Sequence, residues 1–385
     1  MTMKGKIFLL SLFCVMLCCA CTTKQSEYLT PVFWGDQREP HEGYMDEKGK
    51  IKLEREYYGL IEPFNPDGKA IVKKKTPEGN YSYYGLMDKQ GNVELYPDYE
   101  YMFYNSESGL YEMTDAKTGI KHGFMDGNGN IKVPCRRIIL TIPYEGKMVF
   151  AQKGKAKITD TKTLQETNVQ TEMNIDRVGN LYERVFPFSQ ESGGKWGIMD
   201  IYGNVILEDN KYDYIQGFYE GFALGQIYNK KKWDVIEADI IDKQGNVIRS
   251  FHTSVGLVQG YKDGVAILSV AEQGEGAIDT KGNWILEPKY FGVQHNQGVL
   301  TAWPKEGGTE FYDLSGKLLL ASEWNCLCYR DGYIVYEELH GESRSYAIMD
   351  IKGQKKVDFP EGYSPSDNVR VSKYSFEQLK ERKFH

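Results

Sequence analysis

Lys195-Trp196-Gly197-Ile198-Met199-Asp200-Ile201-Tyr202-Gly203-Asn204-Val205-Ile206-Leu207 is the stretch that decides the fold. An aromatic-Gly-aliphatic run, a tight turn from Asp200 to Gly203 and Asn204, and a second run of β-branched and aliphatic residues together spell a β-hairpin. The same phrase recurs along most of the chain. Its Asp-x-x-Gly turn returns at Asp46/Gly49, Asp88/Gly91, Asp126/Gly129, Asp200/Gly203, Asp242/Gly245, Asp279/Gly282, Asp313/Gly316 and Asp350/Gly353. Successive Asp positions lie 42, 38, 74, 42, 37, 34 and 37 residues apart. The interval of 74 is about two periods, and Ile158-Thr159-Asp160-Thr161-Lys162-Thr163 falls where a degenerate copy belongs. The count is therefore nine units, one of them poor.

Turn chemistry explains the recurring Asp-to-Gly spacing. Asp offers a side-chain oxygen to backbone N–H groups of its own turn, and Gly accepts positive φ without a Cβ clash. Asn or Lys follows the Gly in most copies (Asn92, Asn130, Asn204, Asn246, Asn283, Lys50, Lys317), which suits the left-handed or solvent-facing end of a three- to four-residue hairpin turn. A calcium loop is the functional alternative, most tempting at Asp126-Gly127-Asn128-Gly129-Asn130. It fails, because an EF-hand needs Gly at the sixth and Glu at the twelfth loop position, and these are Ile131 and Arg137. Midway between turns a second landmark opens short apolar runs: Gly68, Gly109, Gly146, Gly221, Gly264, Gly298 and Gly332. These runs lack helical periodicity, so each unit holds three or four short strands.

Lys195-Trp196-Gly197-Ile198-Met199-Asp200 with Gly203-Asn204-Val205-Ile206, followed by Tyr212-Asp213-Tyr214-Ile215, Phe218 and Glu220-Gly221-Phe222-Ala223, resembles the WG (KWG) β-repeat of many bacterial exported proteins. The resemblance spans about Tyr44 to Phe359. Only Trp196-Gly197 keeps the signature dipeptide; Glu42, Tyr84, His122 and Glu275 precede Gly elsewhere. The resemblance implies an all-β fold and transfers no catalytic residues.

A chain of 385 residues with continuous repetition points to one large repeat domain, and 41% hydrophobic with 26% charged residues fits a globular, ordered protein. The net charge of −7 and a pI near 5.6 argue against a nucleic-acid partner, which needs a concentrated basic surface. The basic clusters Lys73-Lys74-Lys75 and Lys230-Lys231-Lys232 lie beside strand ends, where solvated loop charge accounts for them.

Residues 1–20 read as an export signal: Lys4 and Lys6 give a positive start, and the apolar core Ile7 to Leu17 is too short to span a bilayer. Cys18-Cys19-Ala20-Cys21 resembles a bacterial lipobox with Leu17 displaced by one position, which implies cleavage after Ala20 and lipidation (palmitate and companion chains) of Cys21. Several acyl chains anchor a protein stably without a transmembrane helix. Thr22 instead of Asp after the Cys implies, by resemblance to Gram-negative sorting, the outer membrane. An ordinary secretory signal cleaved nearby is the alternative. Residues 21–30 are then a lipidated tether, 31–372 the repeat domain, and 373–385 a short helical tail opened by the capping-box pattern Ser375-Phe376-Glu377-Gln378. Three thiols remain, Cys135, Cys326 and Cys328, too few for a disulfide framework; the last two alternate along a strand and are expected on one face.

The first hairpin, Gly43 to Glu54, starts mid-unit, and Val369 to Val371 could supply its missing strand from the other end. Such sharing closes a ring of propeller blades. An open β-hairpin superhelix that begins with Val32-Phe33-Trp34 is the rival architecture, and the expectation leans to the propeller-like ring. The polar, Thr-rich segment from Ile158 to Val185 reads as a distorted unit or an insertion loop.

No nucleophile elbow, zinc-protease helix, phosphate loop or dinucleotide fingerprint is present. His41, His122, His252, His295, His340 and His385 are scattered without ligand spacing, and Glu337-Glu338 are adjacent strand residues that point apart as solvated charge. No catalytic residue, metal or cofactor is expected. Tyrosine is abundant, at 28 residues, and half-exposed strands account for most of it. Trp196 and Trp284 sit at repeat positions as packing residues, whereas Trp34, Trp233, Trp303 and Trp324 lie off the pattern and are the candidate binding residues, with inter-unit packing as the competing explanation. The expected function is a non-enzymatic envelope lipoprotein, held to the membrane by its lipid, whose repeat array is a platform for a protein or glycan partner. A propeller-type carbohydrate-active hydrolase is the alternative; it requires convergent carboxylates from different units.

Overall fold

The computed structural model describes residues 28–36, 39–55, 62–75, 82–106, 108–137, 141–231, 234–340 and 343–365. Its regular structure is entirely β: nine antiparallel sheets, seven of four strands and two of three. The unit quoted above shows how each forms. Trp196–Asp200 is buried almost throughout, because its alternating side chains fill two different interfaces. Ile198 packs on one side of the sheet and Met199 on the other. Such double-sided burial explains why the strand reads as a continuous apolar run, and each fully buried aliphatic side chain contributes about 1.5–3 kcal/mol.

Strands follow one another in order within eight of the sheets, and the remaining one joins the first three strands of the chain to the last. The blades cover residues 30–55 (blade 1), 69–96 (blade 2), 99–137 (blade 3), 147–168 (blade 4), 177–212 (blade 5), 214–251 (blade 6), 255–290 (blade 7), 292–322 (blade 8) and 325–358 (blade 9). Each consecutive pair shares its own buried apolar cluster. Tyr44 and Ala70 lie between blades 1 and 2, Ile71 and Tyr111 between 2 and 3, and Phe124 and Met148 between 3 and 4. Phe186 and Ala156 join 4 to 5, Ile198 and Ile241 join 5 to 6, Leu224 and Leu268 join 6 to 7. Ile267 and Leu300 join 7 to 8, and Phe311 and Ile334 join 8 to 9. The ninth cluster returns to the start, packing Tyr28, Val32 and Met45 of blade 1 against Val335, Ile348 and Phe359 of blade 9. Nine blades and nine seams close a propeller ring, which excludes the open superhelix.

Closure is also made by hydrogen bonding. Ser364–Pro365 pairs with Thr30–Asp36 (Phe33 opposite Ser364, Val32 opposite Pro365) and so becomes the first strand of blade 1. The sharing expected of the C-terminal end therefore falls at Ser364–Pro365; Val369 to Val371 and the expected tail helix lie outside the described residues. Val32-Phe33-Trp34 belongs to the second strand of blade 1. The ring also begins earlier than the expected domain boundary at 31, because Tyr28, Leu29 and Thr30 are buried. The segment from Ile158 to Val185 is a distorted unit: it supplies the end of the third strand and the short fourth strand of blade 4, and it buries Val169, Ile175 and Leu181 in the seam with blade 5.

The Asp-x-x-Gly motif joins third and fourth strands. Asp200 N donates to Asn204 O at 3.0 Å and Gly203 N to Asp200 O at 3.1 Å, while Asp200 Oδ1 accepts from the amides of Tyr202 and Asn204 at 2.8 and 2.9 Å. The left-handed residue is Gly203. Asn204 is not left-handed; its side-chain amide donates to Asp200 Oδ2 at 2.8 Å, so the Asn is a second clamp on the turn carboxylate. The same left-handed place is taken by Gly49 (φ +78°), Gly91 (+84°), Gly129 (+78°), Gly245 (+82°), Gly282 (+81°), Gly316 (+83°) and Gly353 (+76°). Each of these amides donates to the carbonyl of the Asp three residues earlier, from Asp46 and Asp88 through Asp126, Asp242, Asp279 and Asp313 to Asp350.

A purely local turn role, which the spacing suggests, is too narrow for most of these glycines. The turn also rests on the preceding blade. A Cβ on Gly49 would lie 2.7 Å from Val357 Cγ2 of blade 9, one on Gly245 3.4 Å from Leu207 Cβ of blade 5, and one on Gly282 3.1 Å from Arg249 Cβ of blade 6. Gly91 shares the turn itself, its amide 2.9 Å from Asp88 O. Gly197, the glycine of the Trp-Gly pair, has a different task. A Cβ there would lie 2.4 Å from Leu207 O, because the fourth strand crosses directly over it.

Cys326 and Cys328 do not share a face. The pairing with Tyr333–His340 shifts between them, a bulge that reverses the alternation. Cys326 enters the blade 8–9 seam and Cys328 the seam of blades 9 and 1. Burial pushes their thiols up to about 12 and about 11, leaving both protonated and unreactive at neutral pH.

Candidate functional site: the hairpin face

An antiparallel meander sends alternate connections to opposite ends. The first-to-second and third-to-fourth strand turns emerge on one face of the ring, here the turn face. The second-to-third hairpins and the blade-to-blade crossings emerge on the other, the hairpin face.

The turn face carries hydrogen bonds between neighbouring blades. In blades 4, 6, 7, 8 and 9 the first turn is a pair of left-handed residues ending in Gly: Glu145-Gly146, Glu220-Gly221, Asp263-Gly264, Gln297-Gly298 and Asp331-Gly332. This is the geometry of a type I′ hairpin turn, and it accounts for five of the seven glycines of the second landmark; Gly68 and Gly109 are left-handed without a left-handed residue before them. In blades 6 and 8 the residue before Gly reaches across to the next blade. Glu220 accepts from the amides of Asp263 and Gly264 at 2.9 and 2.8 Å, and Gln297 accepts from Asp331 N at 2.6 Å while donating to Asp331 Oδ1 at 3.0 Å. These turns brace blade 6 to blade 7 and blade 8 to blade 9.

The hairpin face is more varied. Its second-to-third connections range from residues 153–154 in blade 4 to residues 190–195 in blade 5. Exposed aromatic side chains stand on it at Tyr101 (48% exposed), Phe291 (42%) and Tyr214 (37%), with Phe103 (47%) one step further along the same strand as Tyr101. Tyr101 meets Tyr84 with centroids 6.2 Å apart, and Tyr214 stands edge-on to Trp196 at 5.2 Å. Each has one ring edge fixed by a neighbour and a surface left to solvent, the arrangement that lets an aromatic stack on a ligand with little loss of rotamer freedom. Their positions at the start of first strands or in blade crossings gave no distinguishing sequence signal among so many tyrosines.

The four tryptophans named from sequence are placed differently. Trp34 lies between His41 and Tyr363, stacked on both, at the closing seam. Trp303 donates its indole N–H to Cys326 O at 3.1 Å, tying blade 8 to blade 9, and Trp324 packs into the same seam beside Tyr336. Trp233 lies outside the described residues. The structure thus draws three of the four into seams and does not gather them into one site.

Charged groups on this face are also drawn into seams. Lys211 and Tyr212 of blade 5 converge on Asp239 of blade 6, with Lys211 Nζ at 2.5 Å and Tyr212 Oη at 2.7 Å from the same carboxylate oxygen. Burial works to raise the Asp239 carboxyl, but hydrogen bonds from Lys211, Ser250 and Tyr212 outweigh it and hold the group below the usual carboxylate range. Burial likewise pushes the Tyr212 hydroxyl up to about 12, so this is a clasp and not an activated nucleophile. Tyr212→Phe is expected to destabilise the ring by about 1–3 kcal/mol, since it leaves a buried acceptor short of a donor; urea unfolding monitored by tryptophan fluorescence reads it directly. Glu337, expected to be solvated charge, is instead buried, held by Arg344 at 3.1 Å and Asn325 at 3.3 Å.

Two acids are shifted upward by burial: Glu62, to about 7, and Glu275, whose Oε2 accepts from Val293 N at 2.9 Å. They belong to the crossing into blade 2 and to blade 7, and no second carboxyl raised by burial accompanies either among the described residues. Nor do those residues contain a cluster of three or more His, Cys, Asp or Glu side chains able to hold a metal. No helix among them is long and apolar enough to cross a membrane.

The fold and its seams define a nine-bladed β-propeller. The chain carries WG-containing repeats: the family model of that repeat matches residues 43–75, 84–113 and 276–293. No curated protein matches the sequence. Among solved structures, the computationally designed Ika8 protein is similar at 12% identity and a TM-score of 0.41, covering 75% of this chain and 93% of its own. BamB from Moraxella catarrhalis is similar at 10% identity and a TM-score of 0.39, over 73% of this chain and 91% of its own. PorZ, a surface component of the type-IX secretion system of Porphyromonas gingivalis, matches at 11% identity and a TM-score of 0.38, over 86% of this chain and 50% of its own. The ring stands on its own strand pairing and seams.

Proposed function

We propose that this chain is a non-enzymatic lipoprotein of the bacterial envelope whose propeller is a binding platform for a protein or glycan partner. The lipid is carried on Cys21, outside the described residues, and places the ring at the outer membrane, on its periplasmic side or at the cell surface. The partner is gripped on the hairpin face. The observation that carries this reading is the contrast between the two faces: turn residues on one brace blade 6 to blade 7 and blade 8 to blade 9 and leave Tyr202 exposed at a turn tip, while the other carries Tyr101, Tyr214 and Phe291 exposed, each held by its backbone at a strand start or blade crossing. Burial alone raises Glu62, and burial against a single backbone hydrogen bond raises Glu275, with no neighbouring carboxylate contributing to either shift; this weighs against the hydrolase alternative, which needs a second carboxyl group about 5–9.5 Å from the first.

The test is affinity recovery of the tagged, lipid-anchored protein from its native envelope after mild crosslinking. A single stoichiometric protein partner is the expected result. Tyr101→Ala or Tyr214→Ala should reduce its capture about tenfold or more, as loss of an aromatic anchor does at an interface, with the urea midpoint little changed. Recovery of the protein alone, followed by binding without cleavage in a polysaccharide screen, assigns a glycan partner; cleavage in that screen overturns the platform reading. Cys21→Ser should abolish acyl labelling and release the protein from the membrane fraction.

A further inference from the structure

His295 is a buried imidazole that no hydrogen bond explains. It lies on the first strand of blade 8, Gly292–Asn296, and faces the seam with blade 7. Its residue is 4% exposed, and neither ring nitrogen has a hydrogen-bond partner. Val293, which shares its face two residues earlier, is part of the apolar seam cluster. Backbone bonds fix the strand there: Gln259 of blade 7 accepts from His295 N at 3.0 Å and donates to His295 O at 3.1 Å. The backbone that carries the imidazole is therefore held by contacts between blades 7 and 8.

Its electrostatic surroundings are few. Asp263 of the blade 7 turn places Oδ2 3.5 Å from Nε2. Lys262 of that turn opposes a positive charge and Glu220 of the blade 6 turn favours one. Gln259 is neutral, and Leu300, opposite His295 across the strand pair, is apolar. Asp263 is the residue whose amide is held by Glu220 at 2.9 Å, so the groups nearest the imidazole also form the brace between blades 6 and 7.

We propose that His295 makes the blade 7–blade 8 seam an acid-sensitive joint of the ring. Neutral, the ring completes a dry seam. Protonated, it puts a cation against Val293 and its apolar neighbours, and either the seam opens to water or Asp263 is drawn onto the imidazolium and away from its turn geometry. The direction of pH dependence follows from the two states. Burial is the dominant cause and lowers the folded-state pKa below the ordinary value of 6.5, against the smaller upward pull of Asp263. Above that value both states are neutral and the seam keeps its full stability. As pH falls below it the open state takes up a proton that the closed state resists, and stability is lost until the folded pKa is passed.

Amide hydrogen exchange on the full-length chain, corrected for the intrinsic pH dependence of exchange, tests this. Between pH 7.5 and 5 the opening constant of peptides covering 255–268 and 292–303 should rise by up to about tenfold per pH unit, the limit for one proton, while peptides of the blade 5–6 seam stay protected. His295→Leu should flatten that dependence; equal acid sensitivity in the variant and the parent, or none in either, overturns the proposal. Should His295→Leu fail to fold, Asp263→Asn, which tolerates the same left-handed backbone, decides. Removal of the counter-charge must enlarge the acid-induced opening, and an unchanged profile sinks the idea.

Discussion

Alanine at Gly203 is expected to destabilise the propeller by about 3–5 kcal/mol, the sum of a left-handed non-glycine backbone and an overlap that only backbone movement relieves. The φ of Gly203 is +95°, and a Cβ there would lie 1.9 Å from Gln170 O and 2.6 Å from Gln170 C, in the crossing from blade 4 to blade 5. Comparable approaches recur around the ring: a Cβ at Gly316 would lie 2.9 Å from Ile285 O, and one at Gly353 would lie 3.1 Å from a Leu320 methyl. With Gly49, Gly245 and Gly282 they show the turn of one blade seated on the blade before it, so the Asp-x-x-Gly spacing records an inter-blade contact as well as a local turn. Gly193 is the internal control, because its φ is +77° but nothing lies within 4 Å of a Cβ placed there. Gly193→Ala should cost only about 1–2 kcal/mol, the conformational part alone. Urea midpoints at constant m-value separate the two; equal losses in both variants would refute the seating of the turn.

That double use of glycine explains how much of the fold was legible. The period and the hairpins follow from residues within a few positions of each other: Asp200, Gly203 and Asn204 fix a turn locally, and Ile198-Met199 announces burial on both sides of one strand, whereas closure of the ring was suggested only by the missing strand of the first unit. Even the poor fourth unit was readable, since Asp160 still caps its turn, with its Oδ1 accepting from Lys162 and Thr163 at 2.9 Å, while Leu164 takes the left-handed place that Gly holds elsewhere. What could not be read depends on partners remote in sequence. The seating of Gly245 on Leu207 or of Gly282 on Arg249 joins residues more than thirty positions apart, so the local pattern shows the turn and hides the contact. One bulge at Leu327 sends Cys326 and Cys328 to different seams. Whether an aromatic residue is exposed depends on how closely the next blade packs, so nothing in the strand Tyr99–Asn105 itself distinguishes Tyr101 and Phe103, which face solvent, from Tyr104, which packs against Tyr111. The isolation of His295 is likewise set by blade 7 and by the turns of blades 6 and 7, and its sequence neighbours are ordinary strand residues.

The same logic separates packing from binding at Trp34, where alanine is expected to cost about 3 kcal/mol or more, the range for truncating a packed Trp side chain. Trp34 stacks on Tyr363 at 4.9 Å, immediately before the closing strand Ser364–Pro365, and on His41 at 5.7 Å in the neighbouring strand. A Cβ on Gly43 would lie 2.9 Å from its ring, so the indole also fills the space that glycine leaves. One side chain therefore holds the C-terminal strand, the second strand and the third strand of blade 1 together. Its loss acts where a ring is most vulnerable, because closure is made by short pairing, Phe33 with Ser364 and Val32 with Pro365, together with the apolar cluster of blades 9 and 1. Trp34→Ala should lower the urea midpoint and speed amide exchange first in residues 28–36 and 343–365, with the blade 5–6 seam following only at global unfolding. A binding residue behaves otherwise: truncation would change stability by less than about 0.5 kcal/mol and reduce partner capture. If Trp34→Ala leaves stability intact, the stacked indole is not what holds the ring shut, and closure must rest on Val32, Ile348 and their neighbours in the seam.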